Sequence, residues 1–348
     1  MNAKTIKEYG LSIGYTAVGI CNAEGFPDYI KEVESRGEKF DILNFTTSNP
    51  LKDALPKVKF PEAKSIIVLV WDYYQCEYPE SLKSMIGKAY LGRGYNPKPG
   101  TVTHARQQLM IDYLVAGGCK VRSDIGLPAR WAGAAAGVTT FGKNNFAYCG
   151  EAGSYIIVTC LVTDQEFEYD EPTMDCLCPP NCTACIDACP TGAIYEPFKL
   201  EPKKCLAYNH WMTREGLEGI DPNIPNEIRK AMGCRIHGCD ICQDVCPHNH
   251  KSLKKTKTME PFIELLAQDI TLPEILNMTD EFYQTRIHPI MYNYIKDIRY
   301  FKRNAAIAMG NSGNKEYIPY LEVASAGEDA LIREYALWAL SELKGECE

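Results

Sequence analysis

The chain of 348 residues reads as an α/β domain followed by a cysteine-rich module and a helical tail. Three observations predict this. Two β-rich apolar runs, SIIVLVW (65–71) and YIIVTCLV (155–162), flank a segment of helical periodicity. Ten of the sixteen cysteines crowd between Cys176 and Cys246, where periodicity fades. Beyond about residue 250, apolar positions recur at helical spacing. The boundaries fall at 1–165, 166–250 and 251–348.

In the first part, Thr5 to Ile13 predicts a short helix and YTAVGIC (15–21) a strand. The two apolar runs suit central strands buried on both faces, because only such strands dispense with alternation. Between them, THARQQLMIDYLVAGG (103–118) predicts a helix stopped by Gly117 and Gly118. LPARWAGAAAG (127–137) predicts another, with Pro128 near its start. GRGYNPKPG (92–100) lacks the spacing and the strand-loop-helix frame of a dinucleotide-binding loop.

In the tail, IRYFKRNAAIAMG (298–310) predicts a helix ending at Asn311-Ser312-Gly313, with a second over 315–325. A third, from Asp329, puts Ile332, Tyr335, Ala336, Ala339, Leu340 and Leu343 on one face. Such short paired helices are similar to a HEAT-type repeat.

Composition narrows the function classes. Neither apolar run is long enough to cross a bilayer, and MNAKTIKEYGLSIG has no secretory signal pattern, so a cytoplasmic location is expected. Clustered cysteines in such a chain favour metal over disulfides. The scattered Cys21, Cys76, Cys119, Cys149, Cys160 and Cys347 read as buried, inert thiols. A net charge of −8 argues against nucleic-acid binding by the whole surface, while leaving room for a local basic face.

Cys182-x2-Cys185-x3-Cys189-Pro190 and Cys239-x2-Cys242-x3-Cys246-Pro247 each match the last three positions of the ferredoxin run C-x2-C-x2-C-x3-C-P. A cubane needs several thiolates from one tight loop and a last one from outside it. Two [4Fe–4S] clusters are therefore predicted. Zinc also favours thiolates, but this repeat is not zinc-finger spacing. The first ligands are less regular. Cys178 and Cys176 compete in the first run; in the second, position 236 is Ile, leaving Cys205 and Cys234 as candidates. Crosswise ligation would use Cys178, Cys182, Cys185 and Cys246 for one cluster and Cys189, Cys205, Cys239 and Cys242 for the other. Two adjacent clusters make a wire for single electrons. His210, His237, His248 and His250 read as polar loop residues rather than ligands.

The combination of GKAYLGRGYN (87–96), FGKNNF (141–146), EAGSYIIVTCLVTD (151–164), CTACIDACPTGAI, KKCLAYN, MGCRIHGCDICQDVCPHN and KRNAAIAMGN…LIREYALWAL resembles the epoxyqueuosine reductase family across nearly the whole chain. The resemblance implies a nitroreductase-like α/β domain holding cobalamin base-off, a double-cluster ferredoxin-like module and a tRNA-gripping helical tail. It implies removal of the epoxide oxygen of epoxyqueuosine at the tRNA wobble position, with electrons from a low-potential donor such as ferredoxin or flavodoxin. The same cofactor pairing is shared with reductive dehalogenases.

The family's proton-donating aspartate precedes the Gly-Lys pair. Counting back nineteen residues from Gly142 reaches Ser123, and Asp124 is its neighbour; either occupies that place. Arg130 falls where the family has a basic residue. The corrin contacts implied are Lys143, Asn144, Asn145 and Tyr148, with Tyr208 and Asn209 after Cys205. Without the family, Asp124 reads as a helix N-cap.

For tRNA, Lys251, Lys254, Lys255 and Lys257 form an acid-free basic stretch. Arg286 to Arg303 carries five Lys/Arg against Asp297, interleaved with Tyr292, Tyr294, Tyr300 and Phe301. Such a stripe suits phosphates and an unstacked base. Two other readings remain: a paralogue reducing a different small molecule, and an electron-transfer protein without cobalamin.

Overall fold

The structure, a computed structural model, describes residues 1–37, 50–94, 99–213, 215, 221–291 and 297–345. The strands of its first half are β1 (Ala17–Asn22), β2 (Ser65–Asp72), β3 (Val121–Arg122), β4 (Thr140–Phe141), β5 (Ala147–Tyr148) and β6 (Ile156–Thr163). Four make one sheet in the order β1-β2-β6-β3, and β4 and β5 form a separate hairpin. All neighbouring pairs in the sheet are antiparallel. The two apolar runs predicted as strands are adjacent, paired from Ser65 opposite Thr163 to Asp72 opposite Ile156.

The lack of alternation in β2 has a direct cause, since both its faces are covered. Ile66 and Val68 pack with Phe26, Phe60 and Ala132, while Ile67 and Leu69 pack with Ile6, Met110 and Leu114. Each such side chain contributes roughly 1.5–3 kcal/mol by leaving water. One cover is made by helices Ala3–Ser12 and Val102–Ala116, the latter capped by the Thr101 side chain and ended by Gly117 and Gly118. The other is Ala129–Ala135, which begins after Pro128. That helix sits so close to β1 that a Cβ on Gly19 would lie 2.2 Å from the Ala136 carbonyl oxygen.

The middle builds little regular structure. Four-residue helices Ala184–Asp187 and Ile241–Asp244 and the small hairpin of β7 (Ile194–Glu196) and β8 (Lys199–Leu200) are its landmarks.

In the tail, helices Arg299–Asn311, Ile318–Ser325 and Ala330–Lys344 appear where periodicity predicts them. Asp329 caps the last by accepting from the Ile332 N–H at 3.1 Å. Its predicted face, Ile332 through Leu343, is the buried one. The largest apolar core is shared along the chain: Tyr73, Leu82 and Leu91 join Leu206, Ile236, Phe301 and Tyr335.

Burial corrects three expectations. Tyr300, Phe301 and Arg303 are not a surface stripe; Arg303 is fully buried. Its guanidinium donates to the carbonyls of Thr213, Asn209 (3.1 Å) and His210 (3.4 Å). Asn304 Nδ2 donates to His210 and Ile236 carbonyls, both at 2.9 Å. Tyr292 and Tyr294 lie outside the described residues. His210 and His237 are buried in the core rather than polar loop residues. Burial first, then neighbouring His237 and Arg303, keeps His210 well below the usual histidine range and hence neutral. Of the scattered cysteines, Cys21, Cys119 and Cys149 are buried, Cys76 and Cys160 are half-buried, and Cys347 lies outside the described residues. No described helix is long and apolar enough to cross a membrane.

Gly19→Ala is expected to cost about 3 kcal/mol through overpacking against a carbonyl that cannot rotate away, read as a lowered thermal midpoint. Arg303→Lys is expected to cost about 3 kcal/mol, because one ammonium cannot replace a planar fork bonded to three carbonyls. Iron retention measured alongside should fall too, since two of those carbonyls lie just after Cys205.

Candidate functional site: two thiol cages beside a cavity

Each four-residue helix carries cysteines into the interior. Cys178, Cys182, Cys185 and Cys246 line one small cavity together with Lys143, Asn144 and Tyr148. The Cys242 thiol is pushed well above its usual range, first by burial and then by Cys239, Cys205, Cys185 and Cys189 around it. Cys205 also feels Cys189, and Cys239 feels Cys205. Cys178, and not Cys176, thus stands with Cys182, Cys185 and Cys246, while Cys189, Cys205, Cys239 and Cys242 lie near one another. Cys234 lies close enough to Tyr317 to raise its hydroxyl pKa, after burial, and is not among the lining residues of the first cage.

These sulfurs receive hydrogen bonds suited to thiolates. The Lys143 N–H points at Cys178 Sγ at 3.4 Å, and the Tyr148 hydroxyl donates to Cys246 Sγ at 3.2 Å. Burial alone would raise the Cys189 thiol. The backbone N–H groups of Ile194, Thr191 and Ala193, with the Thr191 hydroxyl, bring it below its usual value. Among the described residues, no three His, Cys, Asp or Glu side chains are set to hold a single metal ion. Four of the thiols instead line one small cavity, as a cubane requires.

Lys143, Asn144 and Tyr148, which the resemblance assigned to a corrin, sit at the first cage. Lys143 is buried, and its ammonium donates to the carbonyls of Pro179 (2.9 Å), Pro180 (2.7 Å) and Cys182 (2.9 Å). Asn144 Nδ2 donates to the Tyr148 hydroxyl (2.9 Å) and to the Cys242 carbonyl (3.0 Å), joining the two cysteine runs. Their side chains are drawn to the cage because a loop short of apolar residues needs polar fastening. Asn209 likewise serves the second cage, donating to the carbonyls of Lys203 (2.8 Å) and Cys205 (3.0 Å). The Tyr208 hydroxyl is buried without a hydrogen-bond partner.

Beside the first cage opens a cavity of about 650 Å³ walled by Tyr29, Trp131, Phe141, Met174 and Phe198, with Arg130, Asn145 and Cys176 among its polar members. Asn145 adopts φ +67°, and its buried Nδ2 lacks a partner. Arg130 donates to the Asn145 carbonyl. Apolar walls with an unspent amide donor fit a flat ligand edged with amides, as a corrin is. Cavity and cage share a wall: Phe198 N–H donates to the Lys143 carbonyl at 2.9 Å, while Lys143 N–H and ammonium face the cysteine loop. Sequence reasoning missed Tyr29 and Phe198, which no motif marks. Trp131 and Phe141 flank the quoted motifs and were within reach.

Asp124 is absent from this wall. Its side chain is 65% exposed and takes two 2.8 Å bonds from Arg122, whose guanidinium holds the carboxyl below the usual range. Nor does it cap the Ala129–Ala135 helix, whose N-cap position is Pro128. Ser123 is exposed as well.

Comparison with known proteins agrees with this arrangement. A family model described as a 4Fe-4S double cluster binding domain matches residues 178–249. The epoxyqueuosine reductase of Synechococcus sp. (strain CC9605) is 31% identical over 324 residues, 88% of this chain and 94% of that one. That of Bacillus subtilis (strain 168) is 29% identical, covering 99% and 89%. A crystal structure of epoxyqueuosine reductase with a tRNA-Tyr epoxyqueuosine-modified stem loop shares the fold, with a TM-score of 0.80 at 24% identity over 98% of this chain and 89% of that one. The double-cluster match over the cysteine region, together with 31% identity to a relative across 88% of the chain, places the chain in the epoxyqueuosine reductase family.

Proposed function

We propose that this chain reduces the epoxide of epoxyqueuosine in tRNA, giving queuosine, in the cavity beside the first cage. The observation that carries the reading is the shared wall: Lys143 and Asn144 line the cage, the adjoining Asn145 lines the cavity, and the Lys143 carbonyl accepts from Phe198 N–H on the cavity side. In this reading residues 1–165 hold the corrinoid, 166–250 the clusters and 251–348 the helices that face tRNA. A ferredoxin or flavodoxin supplies the electrons.

A corrinoid bound in the cavity supplies the low-potential metal chemistry that opens a carbon–oxygen bond. The chain's own residues prepare the place. Trp131, Phe141 and Phe198 keep water out, Asn145 Nδ2 offers a donor to an amide edge, and Arg130 holds the Asn145 carbonyl. Opening an epoxide leaves an alkoxide that needs a proton. Asp124, paired to Arg122, is ionised where it stands and acts as donor only after the 123–126 loop carries it inward. Tyr29 is already on the wall, and burial foremost keeps its hydroxyl protonated by raising its pKa.

The tRNA backbone meets Lys254 and Lys255, both exposed, and Lys251, which pairs with Glu151 at 3.3 Å. Lys257 is turned inward over the Tyr74 ring. The paralogue reading draws support from one observation, the distance of Asp124 from the cavity wall.

Anaerobic reconstitution with cobalamin, followed by epoxyqueuosine-bearing tRNA and a low-potential reductant, is expected to yield queuosine in the digested nucleosides. Cobalt uptake without conversion selects the paralogue, and no cobalt uptake selects the electron-transfer protein. Asp124→Asn is expected to slow turnover about 10²–10⁴-fold, the range of a lost general acid, and Tyr29→Phe much less; the reverse order would make Tyr29 the donor. For binding, Lys254→Ala combined with Lys255→Ala is expected to reduce the salt slope of log K by about 2 for the modified stem loop. An unchanged slope would remove this face from the interface.

A further inference from the structure

The two cages differ in electrostatic surroundings. All three ammonium hydrogens of Lys143 go to carbonyl oxygens of the 179–182 loop, so no hydrogen remains for a carboxylate. A unit positive charge therefore stands buried against the first cage without a bonded counter-ion. The same cage receives a side-chain O–H: Asn144 Nδ2 donates to the Tyr148 hydroxyl, which donates onward to Cys246 Sγ. Around the second cage the charges balance. Asp240, next to Cys239, and Asp244 share Lys88, and Arg235 lies near the Cys239 thiol. Its thiols Cys189, Cys205 and Cys239 receive hydrogen bonds from backbone N–H groups, with the Thr191 hydroxyl farther off at 3.7 Å from Cys189 Sγ.

We propose that Lys143 and Tyr148 make the first cage the higher-potential, electron-accepting end of the wire. Potentials of iron–sulfur centres follow local charge and hydrogen bonds to sulfur. An electron passing from the second cage to the first removes one negative charge there and adds one here; no bond breaks and no proton is required. A buried ammonium and a hydroxyl donor both stabilise the added charge. Because the first cage shares its wall with the large cavity, the bias points electrons toward the place where substrate is reduced. Tyr148 is thus a positioning residue, acting through Cys246.

The inference rests on both cages carrying [4Fe–4S] clusters. Its test is an EPR-monitored redox titration of the reconstituted protein and of Tyr148→Phe, with iron and sulfide measured on the same samples. The phenylalanine keeps the ring and its packing while removing the donor. Two midpoints are expected in the parent. In the variant, the higher one falls, reducing electron sharing between clusters about tenfold, or about 59 mV for a one-electron couple. The lower midpoint stays. In deuterated buffer, ENDOR should show an exchangeable deuteron coupled to the higher-potential cluster in the parent and lose it in Tyr148→Phe. No shift, a shift of the lower midpoint, or equal shifts of both would overturn the proposal. Iron and sulfide short of two cubanes in the parent would instead defeat the cluster assignment beneath it.

Discussion

The structure depends on one constraint: two cysteine loops with little regular structure must be held facing each other. Loops so rich in Cys, Pro and polar residues bury too little apolar area to fix their own conformation. Lys143 meets that constraint by bonding three carbonyls of the first loop, those of Pro179, Pro180 and Cys182. Asn144 extends the fastening to the second loop through the Cys242 carbonyl. The hairpin of β4 and β5 exists to present these two residues, and everything on the cavity side of it is positioned in consequence.

The tail answers the same need from the opposite direction. Arg303 and Asn304 spend their donors on the segments that follow Cys205 and precede Cys239. Burying a guanidinium is costly, and here planar hydrogen bonding to several carbonyls compensates for it. This explains why a run rich in basic and aromatic residues is interior. The charges that look like a nucleic-acid surface in one dimension are partly a clamp in three. Lys251 and Lys254, both exposed, lie on the short helix that follows Cys246.

Between cage and cavity the division of labour is economical. Backbone and side chain of Lys143 face the cysteine loop while its carbonyl anchors Phe198 on the cavity side. Asn145, with its left-handed backbone and unspent amide, turns the chain from one compartment to the other. Cage and cavity adjoin through three consecutive residues, Lys143 to Asn145. Asp124 stands outside that economy, on an exposed loop held by Arg122.

Much of the fold was legible because local patterns map onto local structure. Unbroken β-branched runs announce strands covered on both faces, Gly117 and Gly118 end a helix, and the face from Ile332 to Leu343 follows from a period of 3.6. The gathering of Cys178, Cys182, Cys185 and Cys246 around one cavity was legible too, since a cubane needs a thiol from outside the tight loop. Tertiary structure alone decided whether Cys176 or Cys178 enters the cage, that Cys205 does so while Cys234 turns to Tyr317, and that Lys143, Asn144 and Tyr148 serve sulfur. It alone showed Arg303, His210 and His237 to be interior. The reason is physical: spacing along a chain specifies which groups come close within one turn, whereas the direction of a polar side chain is set by unpaired carbonyls and thiols brought from distant segments, and those meet only when the chain is folded.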